Sequence, residues 1–464
     1  MTKWMPLIED RKGPRYLAIA DAIGDAIRDG GLKPDERLPT HRDLAYDLGV
    51  TVGTVSRAYA EAVRRGYVTG EVGRGTYVKK DEGTGNPFHI PYDINPEGYD
   101  FSLNFPAEGE RVEYLRRSLM VVAQDAGLGA LMRYQSEHGM EHHRKSFAKW
   151  AAFHGAPQDA DRIVVSNGVQ HGMTLSLMSL ARAGDTLLCE EYSYPGIKTL
   201  ATQLGLKMNG IPMDEKGLIP EKLEAAIIQT GARILYCMPN YQNPTSIIMP
   251  HERRLEIAAI AKKYSVWIIE DDIYGFLHED PSSLTPFASL LPDQTFYLNG
   301  ASKCVSPGIR VGFVLAPASK VKTVAACMRL SNWMAAPLNV EVTCRWIEDG
   351  LIFEMMEWHR EEAIRRQELV MENLKGQTIG STKRSYHSWL YLPEPWTPDM
   401  FCLRAREREV SILPASVFYT GKATPKNAVR ICYGAPPNLE NVEEGMKRLG
   451  QLIHEEIHAF HNVM

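Results

Sequence analysis

Ser302-Lys303-Cys304-Val305-Ser306-Pro307-Gly308-Ile309-Arg310-Val311-Gly312 is the stretch on which the reading of the larger part of this chain turns. It sets one lysine ahead of Pro-Gly-x-Arg-x-Gly, a pattern that pairs an amine with a guanidinium across a tight, glycine-rich turn. Taken alone, Lys303 would be a surface lysine in most proteins, so its meaning depends on what surrounds it. Outward from it, buried-strand runs at Ile163–Ser166, Thr186–Cys189, Ile234–Cys237 and Val266–Ile269 alternate with helical patterns. Such alternation predicts a doubly wound α/β domain with a mainly parallel sheet. The last hundred residues mix strands (Ser388–Tyr391, Val429–Tyr433) with helices and predict a smaller α+β subdomain.

Three further segments precede the lysine string in chain order. Ser166-Asn167-Gly168-Val169-Gln170 stands between a buried strand and a helix, where backbone N–H groups at a helix start suit an anion. Tyr192-Ser193-Tyr194-Pro195-Gly196 follows the strand ending at Glu190. The third is a pair, Pro239-Asn240-Tyr241-Gln242-Asn243-Pro244-Thr245 with Ile269-Glu270-Asp271-Asp272-Ile273-Tyr274. In doubly wound sheets ligands gather at the carboxyl ends of strands, where these segments fall.

Together the four segments resemble the fold-type I aminotransferases, which bind pyridoxal 5'-phosphate. The resemblance makes Lys303 the Schiff-base lysine, with Arg310, Gly168, Val169 and Ser302 around the phosphate. It lays Tyr194 on the pyridine ring and sets Asn243 and Tyr274 at the phenolic oxygen. It pairs Asp271 with the pyridinium nitrogen, which keeps the ring an electron sink; strand alternation sends Asp272 to the other face. Where the family usually has serine or threonine three residues before the lysine, this chain has Gly300. One phosphate bond is therefore expected to be lost, or taken over by Ser302 or water. Two looser matches are Tyr134, which would reach the phosphate of a neighbouring subunit and so implies a homodimer, and Arg430, which would clamp an effector carboxylate. A structural salt bridge is the alternative for Arg430.

The N-terminal end reads differently. Tyr16, Ile19, Ala20, Ile23 and Ile27 predict a helix over 14–30, Pro39 to Leu48 a second, and Thr51 caps a third with Val55, Ala58, Tyr59, Ala62 and Val63 on one face. Tyr67-Val68 and Gly73 to Val78 predict a hairpin, giving a winged helix-turn-helix. Leu38-Pro39-x-x-Arg42, Gly49, Ala58-Tyr59 and Gly73-Arg74-Gly75-Thr76 resemble the GntR family of bacterial regulators. A recognition helix offers its first residues to base edges while its neighbours hold phosphates. Thr51, Thr54 and Arg57 are the candidates there, with Arg42, Arg74 and Gly75 placed for phosphate or minor-groove contact. The family often has arginine where this chain has Val52; Arg57 is the candidate replacement, and a solvated helix-face arginine the alternative.

A winged helix ahead of an aminotransferase-like domain resembles the MocR subfamily of GntR regulators. This implies a dimeric, ligand-responsive regulator of operator DNA with pyridoxal phosphate, alone or with an amino compound, as effector. The expected division is 1–80 for the DNA-binding domain, 81–98 for a linker rich in Gly and Pro, and 99–464 for the cofactor domain. A working aminotransferase with an appended domain is the competing reading. A degenerate interaction domain without cofactor is a lesser one, opposed by intact Lys303, Asp271 and Asn243.

Composition sets the frame. Of 464 residues, 44% are hydrophobic and 23% charged, ordinary for a globular protein. Residues 1–80 carry 14 Lys+Arg against 11 Asp+Glu, while the whole chain has net charge −5, so the basic excess lies at the N-terminal end. Seven dispersed cysteines without a CxxC pair suit a reducing cytoplasm, and neither a membrane span nor a signal peptide is expected. His454-Glu455-Glu456-Ile457-His458 matches H-E-x-x-H, but only six residues follow, and it is set aside together with His138, His142 and His143. No metal site is expected.

Overall fold

The computed structural model describes residues 4–6, 14–28, 31–33, 36–64, 67–71, 75–78, 98–421 and 423–455. The chain divides into two units, Met1–His89 and Ile90–Met464. The stretch expected as a linker, 81–98, lies outside the described residues except for Gly98, as does Arg74.

In the first unit α1 (Arg15–Arg28), α2 (His41–Asp47) and α3 (Val52–Arg64) precede an antiparallel hairpin of β1 (Val68–Glu71) and β2 (Gly75–Val78). Ile19, Ile23, Leu44, Val55, Ala58, Tyr59, Val68 and Val78 share one core. Thr40 caps α2 by accepting the Asp43 N–H, and Thr51 caps α3 by accepting the Thr54 N–H at 3.1 Å. Val63, expected on the apolar face of α3, is instead 47% exposed. It follows Val55 by eight residues, and at about 100° per residue that drift carries it to the rim of the buried stripe.

The second unit is built on a seven-stranded sheet. Its strands are β3 (Ile163–Ser166), β4 (Thr186–Glu190), β5 (Lys207–Ile211), β6 (Ile234–Cys237), β7 (Trp267–Asp271), β8 (Thr295–Gly300) and β9 (Gly312–Leu315). The order across the sheet is β3-β9-β8-β7-β6-β4-β5, with β9 antiparallel to both neighbours and the other pairings parallel. Strand β6 is buried throughout, as a parallel strand covered on both faces must be. Two apolar clusters cover the sheet, one carrying Val164, Leu187, Tyr236 and Phe313, the other Leu188, Leu235, Ile257 and Ile268.

A long helix (Leu351–Asn373) leads to the small subdomain. There β10 (Ile379–Gly380), β11 (His387–Tyr391), β12 (Leu413–Pro414) and β13 (Ala428–Cys432) form a sheet in the order β10-β11-β13-β12. Tyr99–Asp100 pairs in parallel with Val410–Ser411, so the start of this unit is stitched into its last third. Among the described residues no helix is long and apolar enough to cross a membrane.

Candidate functional site

The carboxyl ends of β3, β7 and β8 deliver the three sequence-marked segments that matter most. Asp271 is the last residue of β7 and is 2% exposed. Its carboxylate accepts the Tyr236 hydroxyl at 2.8 Å and the Ile273 N–H at 3.3 Å. Burial pushes its pKa up to about 6, against the lowering effect of these bonds and of Lys303 nearby. Asp272 turns away, as alternation requires, and accepts Asn240 and Tyr297 at 2.6 Å each.

Lys303 follows β8. Its Nζ donates to the Asn104 carbonyl and lies 5.9 Å from the centre of the Tyr274 ring. Burial depresses its pKa to about 8, so a useful fraction is a free amine near neutrality. Tyr274 is buried, and its ring meets His387 at 5.7 Å.

Arg310 reaches back to the start of the helix Val169–Leu180, donating to the Asn167 carbonyl at 3.1 Å and to Ser302 Oγ at 3.4 Å. Gly168 caps that helix with φ +86° and no side-chain cap, and a Cβ there would stand 2.7 Å from the Arg310 guanidinium. Arg310 thus stands beside the start of this helix, and its guanidinium and the helix's first N–H groups are donors suited to an anion. Gly300 has its own reason: a Cβ would come within 2.8 Å of the Val311 carbonyl and 3.3 Å of Val169, so the serine or threonine expected there does not fit.

On the small-subdomain side, Arg430 lies in β13 and is 5% exposed. It donates to Asn243 Oδ1 at 2.8 Å and to the Ser102 carbonyl at 2.5 Å, and packs 4.5 Å over the Phe418 ring. Its Nε is buried without a partner. A buried guanidinium held by a neutral amide and a carbonyl, with no acidic partner among those bonds, is chemically ready for a carboxylate. Tyr194 caps the helix Pro195–Gln203, half-buried, with its pKa raised to about 12 by burial.

Sequence reading missed Tyr236, Asn104 and His387. Tyr236 meets Asp271 because β6 and β7 are paired with Ile269 opposite Tyr236. His387 accepts Asn104 Nδ2 at 2.9 Å and donates from Nε2 to the Gln242 carbonyl, also at 2.9 Å. No local pattern announces a pairing across 283 residues. Tyr134 is not brought to the others within one chain: it is 80% exposed and leans on Trp333 at 5.4 Å.

In the first unit the candidates stay in water. Arg42, Thr51, Val52 and Arg57 are exposed and Thr54 half-exposed. Arg57 also packs 4.8 Å over the Tyr16 ring, which fixes its direction. Gly75 opens β2, and the Arg37 guanidinium crosses where its Cβ would be, at 2.7 Å. Arg37 is exposed beside the hairpin and was not singled out by the sequence.

In the second unit the sequence-marked segments meet at the carboxyl ends of the sheet, where a doubly wound fold gathers its ligands. Residues 104–449 match the aminotransferase class I and II family, so the chain belongs to it, and residues 15–78 match the gntR family of bacterial regulatory proteins. Its fold is that of a gntR-type helix-turn-helix region followed by a fold-type I aminotransferase domain, and its cofactor is pyridoxal phosphate. The chain is 29% identical over 469 residues to YdeF of Bacillus subtilis, an uncharacterized HTH-type transcriptional regulator, covering 97% of this chain and 96% of that one. It is 26% identical over 318 residues to the mouse mitochondrial kynurenine/alpha-aminoadipate aminotransferase, covering 64% of this chain and 74% of the enzyme. Among solved structures, Pyrococcus horikoshii kynurenine aminotransferase superposes with TM-score 0.71 at 22% identity, covering 78% of this chain and 92% of its own. LysN of Thermus thermophilus, an alpha-aminoadipate aminotransferase, gives 0.69 at 22%, covering 81% and 97%.

Proposed function

We propose that this protein is a transcriptional regulator that binds double-stranded operator DNA as a homodimer and responds to pyridoxal phosphate, alone or with an amino compound. The observation that carries this reading is the union, in one chain, of a gntR-type region with a class I and II aminotransferase domain whose lysine, aspartate and arginine converge. Relatives spanning nearly the whole chain bear regulator names, which supports it. We divide the chain at 1–80, 81–98 and 99–464 and place it in the cytoplasm with its DNA.

Bound pyridoxal phosphate supplies an amine-reactive aldehyde and an electron-withdrawing ring. Lys303 is the attachment point, Asp271 holds a proton on the ring nitrogen, and Asn243 and Tyr274 contact the ring's oxygen. Gly168, Val169, Ser302 and Arg310 bind the phosphate, Tyr194 stacks on the ring, and Arg430 takes the effector's carboxylate. The exposed Tyr134 would complete the neighbouring subunit's site. Arg42, Arg74 and Gly75 track the DNA backbone, while Thr51, Thr54 and Arg57 face the base edges.

A sensor must bind its ligand unequally in two conformations, and DNA affinity then shifts by the same free energy. The test is a titration of DNA from upstream of its own gene with cofactor-free, cofactor-loaded and amino-acid-treated protein. Operator affinity or bending is expected to change between states, and Arg430→Ala to abolish the amino-acid response while leaving the cofactor's visible absorbance. Identical affinity and footprint in all three states, with efficient multiple-turnover transamination, would favour the aminotransferase reading.

A further inference from the structure

We propose that His142, His143 and Glu341 form a binding site for a divalent transition metal of the zinc class, outside the cofactor-site residues. The two histidines open the helix Glu141–Phe153, and Glu341 comes from the helix Pro337–Glu348, about two hundred positions later. Both Nε2 atoms point at the same carboxylate oxygen, Glu341 Oε2, at 3.1 Å each. The three donor atoms all lie within 4.8 Å of one another. Zinc bonds of about 2.0–2.2 Å at a tetrahedral angle put neighbouring donors about 3.3–3.5 Å apart. Two edges are therefore already close to the required length, and a small rotation of the exposed His142 closes the third.

The surroundings supply what such a site needs. Glu341's other oxygen is taken by Arg345 at 2.9 Å, and Arg345 is held by Asp125 at 2.5 Å, which leaves Oε2 as a single oriented donor. A cavity of about 210 Å³ lined by His142, Glu341, Arg345, Asp125 and Met140 adjoins two of the three donors, leaving room for an exchangeable fourth ligand. One feature sets the strength. His143 Nδ1 is buried with no partner, and a missing outer hydrogen bond costs about 10–100-fold in affinity. The site is thus expected to bind zinc more weakly than one with that outer bond in place.

The experiment titrates zinc chloride into the full-length, cofactor-loaded protein by calorimetry, in a background where His454, His458 and His461 are alanine so that tail histidines capture nothing. One zinc per chain is expected. His142→Ala and Glu341→Gln are each expected to weaken binding at least about tenfold, while His138→Ala leaves it unchanged. His142 is exposed, so its variant should fold, and retention of the visible cofactor band checks that it has. No uptake at 100-fold excess zinc, or affinity unaltered in both ligand variants, would overturn the proposal and leave the cluster as a hydrogen-bonded ion pair.

Discussion

The candidate groups of the two units differ in their exposure to water. In Met1–His89 the candidates Arg42, Thr51 and Arg57 are exposed, whereas in Ile90–Met464 Asp271, Asn243, Tyr274 and Arg430 are each 5% exposed or less. A DNA reader gains by keeping its donors hydrated until a polyanion displaces small ions. A cofactor site instead accepts the cost of desolvation at once, and that cost appears as pKa values moved to about 6 for Asp271 and about 8 for Lys303. Substitutions should therefore behave differently in the two units. In the first they should tune affinity with the fold intact, while in the second they should act on binding and stability together.

The sharpest break between them would come from Lys303→Ala. It is expected to abolish the visible absorbance of the cofactor-loaded protein altogether, with unchanged far-ultraviolet circular dichroism. A wild-type protein that stays colourless after adding pyridoxal phosphate would contradict the site. Asp271→Asn should come next, costing cofactor affinity about 2–5 kcal/mol by leaving a buried cation without its carboxylate. Equilibrium dialysis measures it, and an unchanged dissociation constant would remove Asp271 from the site.

The sequence made these residues legible because each lies in a short string at the end of a strand, where turn chemistry is local. Lys303, Asp271 and Arg310 could be read from spacing and resemblance. What could not be read was set by sheet order. Tyr236 reaches Asp271 only because β6 lies beside β7, and Asn104 reaches Lys303 across 199 residues. The reason for Gly300 is likewise a packing fact, the close approach of β9 and Val169. Histidines 142 and 143 looked idle in sequence because their partner stands on a distant helix. In the first unit helix and turn signals located the three helices and the hairpin of the described residues, yet they missed the exposure of Val63 and the position of Arg37.

Smaller effects are expected at the exposed face of the first unit. Arg42→Ala should weaken binding to all DNA sequences alike and reduce the salt slope by about 1, whereas changes at Thr54 should alter preference at one position by about 1–3 kcal/mol. Thr51 makes the comparison more demanding, since its hydroxyl both caps α3 and contacts Thr54 Oγ1 at 2.9 Å. Thr51→Ala should cost about 0.5–2 kcal/mol of stability for the cap alone. Gel-shift assays at several salt concentrations separate these cases. A sequence-specific effect at Arg42 would place it on bases rather than phosphates.

The smallest effect, and the one that tests the buried side of the comparison, is the pH dependence of cofactor binding. Asp271 titrates at about 6 in the cofactor-free fold, raised chiefly by burial. Binding a protonated ring nitrogen requires its carboxylate form, so below about 6 a proton must leave Asp271 as the cofactor enters. Linkage then lowers affinity by about tenfold for each pH unit below that point, and leaves it flat with respect to this group above. The sign for folding alone is opposite. Because the folded pKa lies above the ordinary carboxylate value, the native state binds more protons between about 4 and 6. Stability of the cofactor-free protein should accordingly fall as pH rises through that window. Cofactor titrations followed by absorbance at pH 7.5, 6 and 5 measure the first slope, and thermal melts of the cofactor-free protein measure the second. The cofactor's own phosphate also titrates near 6, so the deciding comparison is Asp271→Asn. If the carboxylate is responsible, the variant binds weakly but loses most of the slope. A variant that keeps the full slope assigns it to the phosphate cradle at Gly168 and Arg310 instead.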